Sequence, residues 1–248
     1  MSDLRDIMGV AVTAATTAEM IAELDARLAA GERIKLAFLN AHTSNLAAAD
    51  PAFRAVLNGF TVLNDGAGVA IASRWLHGKN FPDNLNGTDF VPRYLAETAR
   101  PARIFLLGGR PGVAEEAAAK IRALAPQHTV AGTRHGYFKP EDETGIVAEI
   151  ASQNPDILLI ALGNPIQELF INRHFAALGV PLAMGVGALF DFLSGRVSRA
   201  PAAFRRLRLE WVYRLGREPG RLWRRYLLGN SKFLWRLLRA RRSGGPPR

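Results

Sequence analysis

The sequence predicts an α/β fold, a mostly parallel sheet covered by helices on both faces, followed by a basic helical appendage at the C-terminus. Three observations carry this expectation. Over residues 1–201, short apolar runs alternate with helix-patterned stretches, and strand–loop–helix repetition builds parallel sheets. The run Ile157-Leu158-Leu159-Ile160 is apolar without alternation, as suits a strand buried on both sides. After Pro201 the chain turns to long, arginine-rich helical patterns.

In chain order, strands are expected at residues 34–39, 61–63, 103–107, 129–131, 157–162 and 181–186. Most are followed by Gly, Asn or Asp and then by an Ala-rich helical stretch. The clearest helices are 113–124, 144–152 and 166–178, with apolar residues three and four apart. Glu141-Asp142-Glu143 after Pro140 reads as the acidic first turn of a helix. In the tail, 203–215 reads as one helix, Glu218-Pro219 punctuates, and 221–240 reads as a second. The organisation expected is one α/β domain over 1–201 and an appendage over 202–248.

Composition narrows the function classes. The 248 residues are 48% hydrophobic and 22% charged, enough apolar material for a substantial core. There is no cysteine, which excludes disulfides, thiolate catalysis and Cys-ligated zinc. The polar start, Met1-Ser2-Asp3-Leu4-Arg5-Asp6, does not read as a secretory signal. The run 157–162 is far too short to cross a bilayer, so a soluble or peripheral protein is expected. The net charge of +10 is unevenly placed: residues 202–248 hold fourteen Arg and Lys against two acids, whereas residues 1–201 are close to neutral. Whatever anion explains the charge meets the tail.

On a helical wheel of the second tail helix, Trp223, Leu227, Leu234 and Leu238 fall on one side, and Leu222, Tyr226, Phe233 and Leu237 on the other. Arg221, Arg224, Arg225, Lys232, Arg236 and Arg239 cluster opposite, interrupted by Leu228 and Trp235. Such a helix suits either a membrane surface or a hydrophobic groove on the protein itself.

Ligands of open α/β sheets bind at the carboxyl ends of the strands. Five segments lie there: Leu39-Asn40-Ala41, Asn64-Asp65-Gly66-Ala67-Gly68, Leu107-Gly108-Gly109-Arg110-Pro111-Gly112, Gly163-Asn164-Pro165-Ile166-Gln167-Glu168, and Gly185-Val186-Gly187 with Phe190-Asp191. Gly-rich turns opening onto helix N-termini leave amides free for phosphate. A nucleotide or nucleotide-sugar ligand is therefore expected, although any one such turn is also an ordinary connection. Neither G-x-G-x-x-G nor a Walker loop is present, which counts against an NAD-dependent oxidoreductase or an ATPase. Asp65 is a candidate general base, yet Asp before Gly is also a common turn or cap residue. Glu168 suits the first turn of a helix with no function at all. Tyr137 is placed to stack on a base or to enter the core. The five histidines show no metal-ligand spacing, and D-x-D, H-E-x-x-H and G-x-S-x-G motifs are missing, so no protein-held metal is expected.

In order and spacing these segments, with Asp50-Pro51-Ala52-Phe53-Arg54, Gly87-Thr88-Asp89, Gly136-Tyr137-Phe138, Gly195, Arg199-Ala200-Pro201, Leu209-Glu210-Trp211-Val212-Tyr213-Arg214-Leu215, Glu218-Pro219-Gly220-Arg221 and Arg224-Arg225-Tyr226, resemble the WecG/TagA/CpsF family of glycosyltransferases (glycosyltransferase family 26). The likeness runs from about residue 34 to 233. It implies a Rossmann-like domain and a metal-independent, inverting transfer from a UDP-sugar, with no cofactor. The implied acceptor is a polyprenyl-diphosphate-linked saccharide at the cytoplasmic face of the membrane, in bacterial cell-surface polysaccharide synthesis. By the same resemblance Asp65 is the catalytic base, and Gln167 is the polar residue at the sugar pocket. Tyr137 and Asp191 stand around the uracil, and Asn40, Gly108 and Gly187 complete the substrate-binding set. Arg214, Arg221 and Arg224 fold over the site and bind diphosphate. Three positions depart from the family pattern: Asn64 where Pro is usual, Asn84 where Arg is usual, and Ile166 where Lys is usual. The sugar stays open among N-acetylmannosamine, its uronic acid, glucose and related donors.

The tail then serves two anions, phospholipid and diphosphate, and removing residues from 202 onward is expected to abolish transfer while leaving the core folded. Self-association of the core through apolar surface uncovered by movement of the tail is left open. The rival reading of the tail is nucleic-acid binding. Nucleic acid is not the expected partner, because Trp223 and the other aromatics share helix faces with leucines instead of forming an open stacking platform.

Overall fold

The computed structural model describes residues 3–198, 200–201, 204, 210–217 and 219–242, with the side chains of 210, 214, 221, 222 and 225 outside the described part. Arg199 and Glu218 also lie outside it. Eight strands form one sheet: β1 (Asp3–Asp6), β2 (Ala11–Ala14), β3 (Ile34–Leu39), β4 (Thr61–Asn64), β5 (Arg103–Gly108), β6 (Thr129–Arg134), β7 (Ile157–Ala161) and β8 (Leu182–Gly185). Their order is β1-β2-β4-β3-β8-β7-β5-β6. Among the described strands only β1 and β2 pair antiparallel; every other neighbouring pair is parallel.

The central strands are apolar on both faces because both faces are covered. Along β3, Ile34, Leu36 and Phe38 join one core, while Ala37 and Leu39 join the other. Along β7, Ile157 and Leu159 face the first core, Leu158 and Ile160 the second. This is the two-residue alternation of a strand, read with apolar residues on each side. The first core is closed by α1 (Thr17–Ala29), α5 (Gly87–Glu97), α6 (Val113–Leu124) and α9 (Leu189–Leu193). The second is closed by α2 (Ala41–Ala49), α3 (Pro51–Leu57), α4 (Ala67–His77), α7 (Glu143–Ser152) and α8 (Ile166–Leu178).

Local sequence starts these helices where expected. Thr16 and Glu19 form a reciprocal capping box at α1, and Asp50 caps α3 with Pro51 in its first turn, both favoured at helix N-termini. A short 3₁₀ turn, Pro140–Asp142, leads into α7.

The tail contributes α10 (Glu210–Arg217), α11 (Pro219–Trp223), a π-helical stretch (Arg224–Leu228) and α12 (Gly229–Arg242). Pro219 opens α11, in keeping with its missing N–H. α12 packs on α2 and α4, with Phe233 and Leu237 fully buried in the second core. Asn45 on α2 fastens it: its Nδ2 donates to the Gly229 carbonyl (2.7 Å), and its Oδ1 accepts from Arg236 (3.0 Å). The two sides of the wheel thus part company, Phe233 and Leu237 facing inward while Leu227, Leu234 and Leu238 stay exposed.

The N-terminal hairpin was not expected from the sequence. Its first strand inverts the usual pattern, for Arg5 is buried and Leu4 is exposed. Arg5 is accommodated by donating to Ser73 Oγ (2.8 Å) and the Asn80 carbonyl (2.8 Å), with its guanidinium 5.1 Å from the Phe81 ring centre. β6 extends three residues beyond the expected 129–131. Gly132 masks the continuation; the strand runs so close to Phe105 that a Cβ there would lie 2.5 Å from the ring.

Candidate active site

The carboxyl ends of β3 to β8 open into a single cleft of about 930 Å³, where ligands of parallel sheets bind. Asn40 and His42 line it after β3, Asp65 after β4, Gly109 and Arg110 after β5, Gly136 and Tyr137 after β6, Gly163 and Asn164 after β7, and Gly187 after β8.

Asp65 is held by its neighbours. Its backbone N–H donates to the Leu39 carbonyl (2.8 Å), tying the ends of β3 and β4. Asn40 caps α2 through Oδ1, which accepts the N–H groups of His42 (3.0 Å) and Thr43 (3.1 Å). Its Nδ2 then donates to Asp65 Oδ2 at 3.1 Å. One amide therefore caps a helix and aims a carboxylate. After Asp65 the chain turns at Gly66, with φ of +89°, a conformation natural to glycine.

Gln167 and Glu168 open α8 and are both buried. Gln167 Oε1 accepts the Gly163 N–H (3.2 Å) and the Gly187 N–H (3.1 Å), and Nε2 donates to Glu168 Oε1 (2.8 Å). Asn164 Nδ2 also donates to Glu168 Oε1, while Glu168 Oε2 is buried without a partner among the described residues. Burial pushes the Glu168 carboxyl up to about 7, against smaller opposing effects of hydrogen bonds from Gln167, its own backbone N–H and Asn164. A raised carboxyl pKa stabilises the fold fully below the ordinary value of 4.5, and that stability is lost as pH rises through 7. Glu168→Gln, which cannot ionise, is therefore expected to gain about 2–3 kcal/mol on wild type between pH 5 and 8. Thermal melts across that range check this; parallel pH curves would show that Glu168 does not titrate there.

The remaining wall comes from α9, α10 and their connection. Asp191 and Arg196 line the cleft, and Arg196 is engaged by Glu116 through two hydrogen bonds (2.9 and 2.8 Å). Tyr213 and Arg217 of α10 also line it, and the Tyr213 hydroxyl bonds Ser198 Oγ at 3.0 Å. Tyr137 is 65% exposed at the mouth, so it is not a core aromatic. Among the described residues no group of three or more His, Asp or Glu is arranged to hold a metal ion.

A model of the glycosyl transferase WecG/TagA/CpsF family matches residues 5–246. The chain belongs to this family. An N-acetylglucosaminyldiphosphoundecaprenol N-acetyl-beta-D-mannosaminyltransferase of Bacillus spizizenii is 34% identical over 200 residues, 80% of this chain and 76% of the relative. A protein of the same name from Bacillus subtilis strain 168 is 37% identical over 167 residues, 67% of this chain and 64% of the relative.

Against the family pattern, this glycosyltransferase brings Asn40, Asp65, Tyr137, Gln167, Gly187 and Asp191 together on the cleft. Two expected residues stand elsewhere. Gly108 lies behind the lining, packed so tightly on β7 that a Cβ would meet the Ala161 carbonyl oxygen at 2.4 Å; Gly109 takes its place on the cleft. Arg224 is exposed beside Trp223, its guanidinium 5.3 Å from that ring centre. Arg214 lies in α10 and Arg221 in α11, but their side chains are outside the described part. The structure adds three cleft cations that the motifs did not single out, Arg110, Arg217 and the Glu116-engaged Arg196.

Two of the three departures from the family pattern, Asn64 and Asn84, brace the Asp65 turn. Asn84 Oδ1 accepts the Gly66 N–H (2.9 Å), and the buried Asn64 donates Nδ2 to the Asp83 carbonyl (2.9 Å).

Proposed function

We propose that this glycosyltransferase moves a hexosyl group, N-acetylmannosamine or a close relative, from a UDP-sugar to a polyprenyl-diphosphate-linked saccharide, by single displacement with inversion and without a metal ion. The observation that carries this reading is the Asp65 carboxylate, held by Asn40 at the edge of a cleft built from strand ends. The names of the Bacillus relatives support the acceptor class and the sugar.

In the proposed step the acceptor hydroxyl gives its proton to Asp65 as its oxygen bonds the anomeric carbon. The bond from that carbon to the diphosphate oxygen breaks, and the electron pair leaves with UDP. Arg110 and Arg217 meet the charge on the diphosphate, together with amides at the N-terminus of α6, whose Gly112 offers no side-chain cap. Arg224 stands outside the cleft, so its part in binding diphosphate requires the tail to close over the site.

Titration calorimetry with UDP tests the donor site. Arg110→Ala and Arg217→Ala are each expected to weaken UDP about tenfold or more, as the loss of a charge-assisted contact should. Wild type that fails to bind UDP would overturn the donor reading.

The outer side of the tail supports a membrane role. Trp223, Leu227, Leu228, Trp235 and Leu238 are exposed among Arg and Lys, and α4 adds Ile71 and Trp75. Arg241 reaches across to Trp75, 5.6 Å from its ring centre. No helix among the described residues is long and apolar enough to cross a membrane. A basic face studded with Trp and Leu instead suits the inner, anionic leaflet. Trp235→Ala is expected to lower partition onto phosphatidylglycerol vesicles about tenfold with no change in melting. Equal partition of both proteins would contradict the membrane role of this face.

A further inference from the structure

We propose that Glu168 is a positioning residue, which aims the Gln167 amide so that one carbonyl oxygen straps together the two loops following β7 and β8. The inference rests, for its consequence in binding, on the donor reading above; the strap itself rests on geometry alone.

Gln167 Oε1 takes the N–H of Gly163 on one loop and of Gly187 on the other. The strand ends are tied directly, the Val186 N–H donating to the Ile160 carbonyl (2.8 Å), but beyond that bond each loop turns through a glycine in the left-handed region, φ +80° at Gly163 and +56° at Gly187. A third glycine makes room for the strap. A Cβ on Gly185 would lie 2.8 Å from Gln167 Nε2, so the side chain crosses β8 where no side chain stands in its way. Amide orientation is then decisive. With oxygen and nitrogen exchanged, Gln167 would present donors to two N–H groups and lose both bonds. Glu168 Oε1 excludes that orientation, because it accepts from Nε2 at 2.8 Å. Asn164 donates to the same oxygen and anchors Glu168 to the first loop. The carboxyl is fully buried with Oε2 unpartnered among the described residues, an arrangement that costs stability. Selection of one Gln167 orientation is what that cost supports. Since a carboxyl oxygen and an amide oxygen accept alike, Gln at 168 preserves the function and Ala does not.

The test follows amide hydrogen exchange at Gly163 and Gly187, with UDP affinity measured on the same proteins. In Glu168→Ala, exchange at both glycines is expected to rise about tenfold or more while Leu158 and Ile160 of β7 stay protected. Glu168→Gln should remain within about threefold of wild type at both. UDP affinity should follow the exchange, falling in Ala and recovering in Gln. Unchanged exchange in Glu168→Ala, or a rise at one glycine only, overturns the strap. If Glu168→Ala also deprotects β7, Gln167→Met, which keeps volume and removes the acceptor, decides by the same criterion. Wild type that binds no UDP sinks the donor reading, and the exchange result still stands for or against the strap.

Discussion

Asp65→Asn is expected to lower glycosyl transfer by about 10²–10⁴-fold, the range a positioned general base contributes, while UDP binding and melting stay close to wild type. The substitution keeps the shape and retains a carbonyl oxygen for the Asn40 donor, which lies 3.1 Å away. It removes the negative charge and with it the ability to take a proton. Asn40→Ala should show a smaller activity loss with a second signature. It frees the carboxylate and also uncaps α2, a change worth about 1 kcal/mol of stability. Asp65→Asn with wild-type turnover would mean that another group takes the proton and that Asn40 serves only its helix.

The second large effect falls on stability. Phe233 is fully buried against α4, close enough that a Cβ on Gly68 would lie 3.5 Å from its ring. Phe233→Ala is expected to cost about 3–5 kcal/mol through lost burial and the cavity left behind, lowering the melting midpoint by on the order of 10 °C. Leu237 is equally buried in the same core. The expectation that residues from 202 onward can be removed with the core left folded therefore changes. Deletion uncovers the socket of both side chains and should destabilise the remainder as well as abolish transfer. Melts of Phe233→Ala and of the truncated chain check this together; if neither moves, α12 is not seated on the second core in solution.

The parallel sheet was legible because strands buried on both faces read as unbroken apolar runs. 34–39, 113–124 and 166–178 match the observed elements at both ends. The β1–β2 hairpin was hidden by Arg5, whose inward charge is satisfied by partners 68 to 75 residues away that no local pattern reveals. On the cleft, Asn40, Asp65 and Gly187 were legible since each lies within two residues of a strand end. The burial of Glu168 was hidden for the opposite reason. A first-turn Glu normally faces solvent beside free amides, whereas this one is buried and accepts from Asn164 and Gln167. Arg217 carried no signal, because it reaches the cleft through the placement of α10. Gly108 and Gly109 are adjacent, and only their backbone angles decide that one packs on Ala161 and the other lines the cleft.

Transfer from a UDP-sugar driven by Asp65 is measured most directly as product formation from a panel of UDP-sugars, in EDTA, with and without a short polyprenyl-diphosphate saccharide, with the anomeric configuration read by NMR. Acceptor-dependent transfer that survives EDTA, inverts the anomeric centre and disappears in Asp65→Asn is expected. Transfer that needs a divalent metal, retains configuration or persists in Asp65→Asn would contradict it.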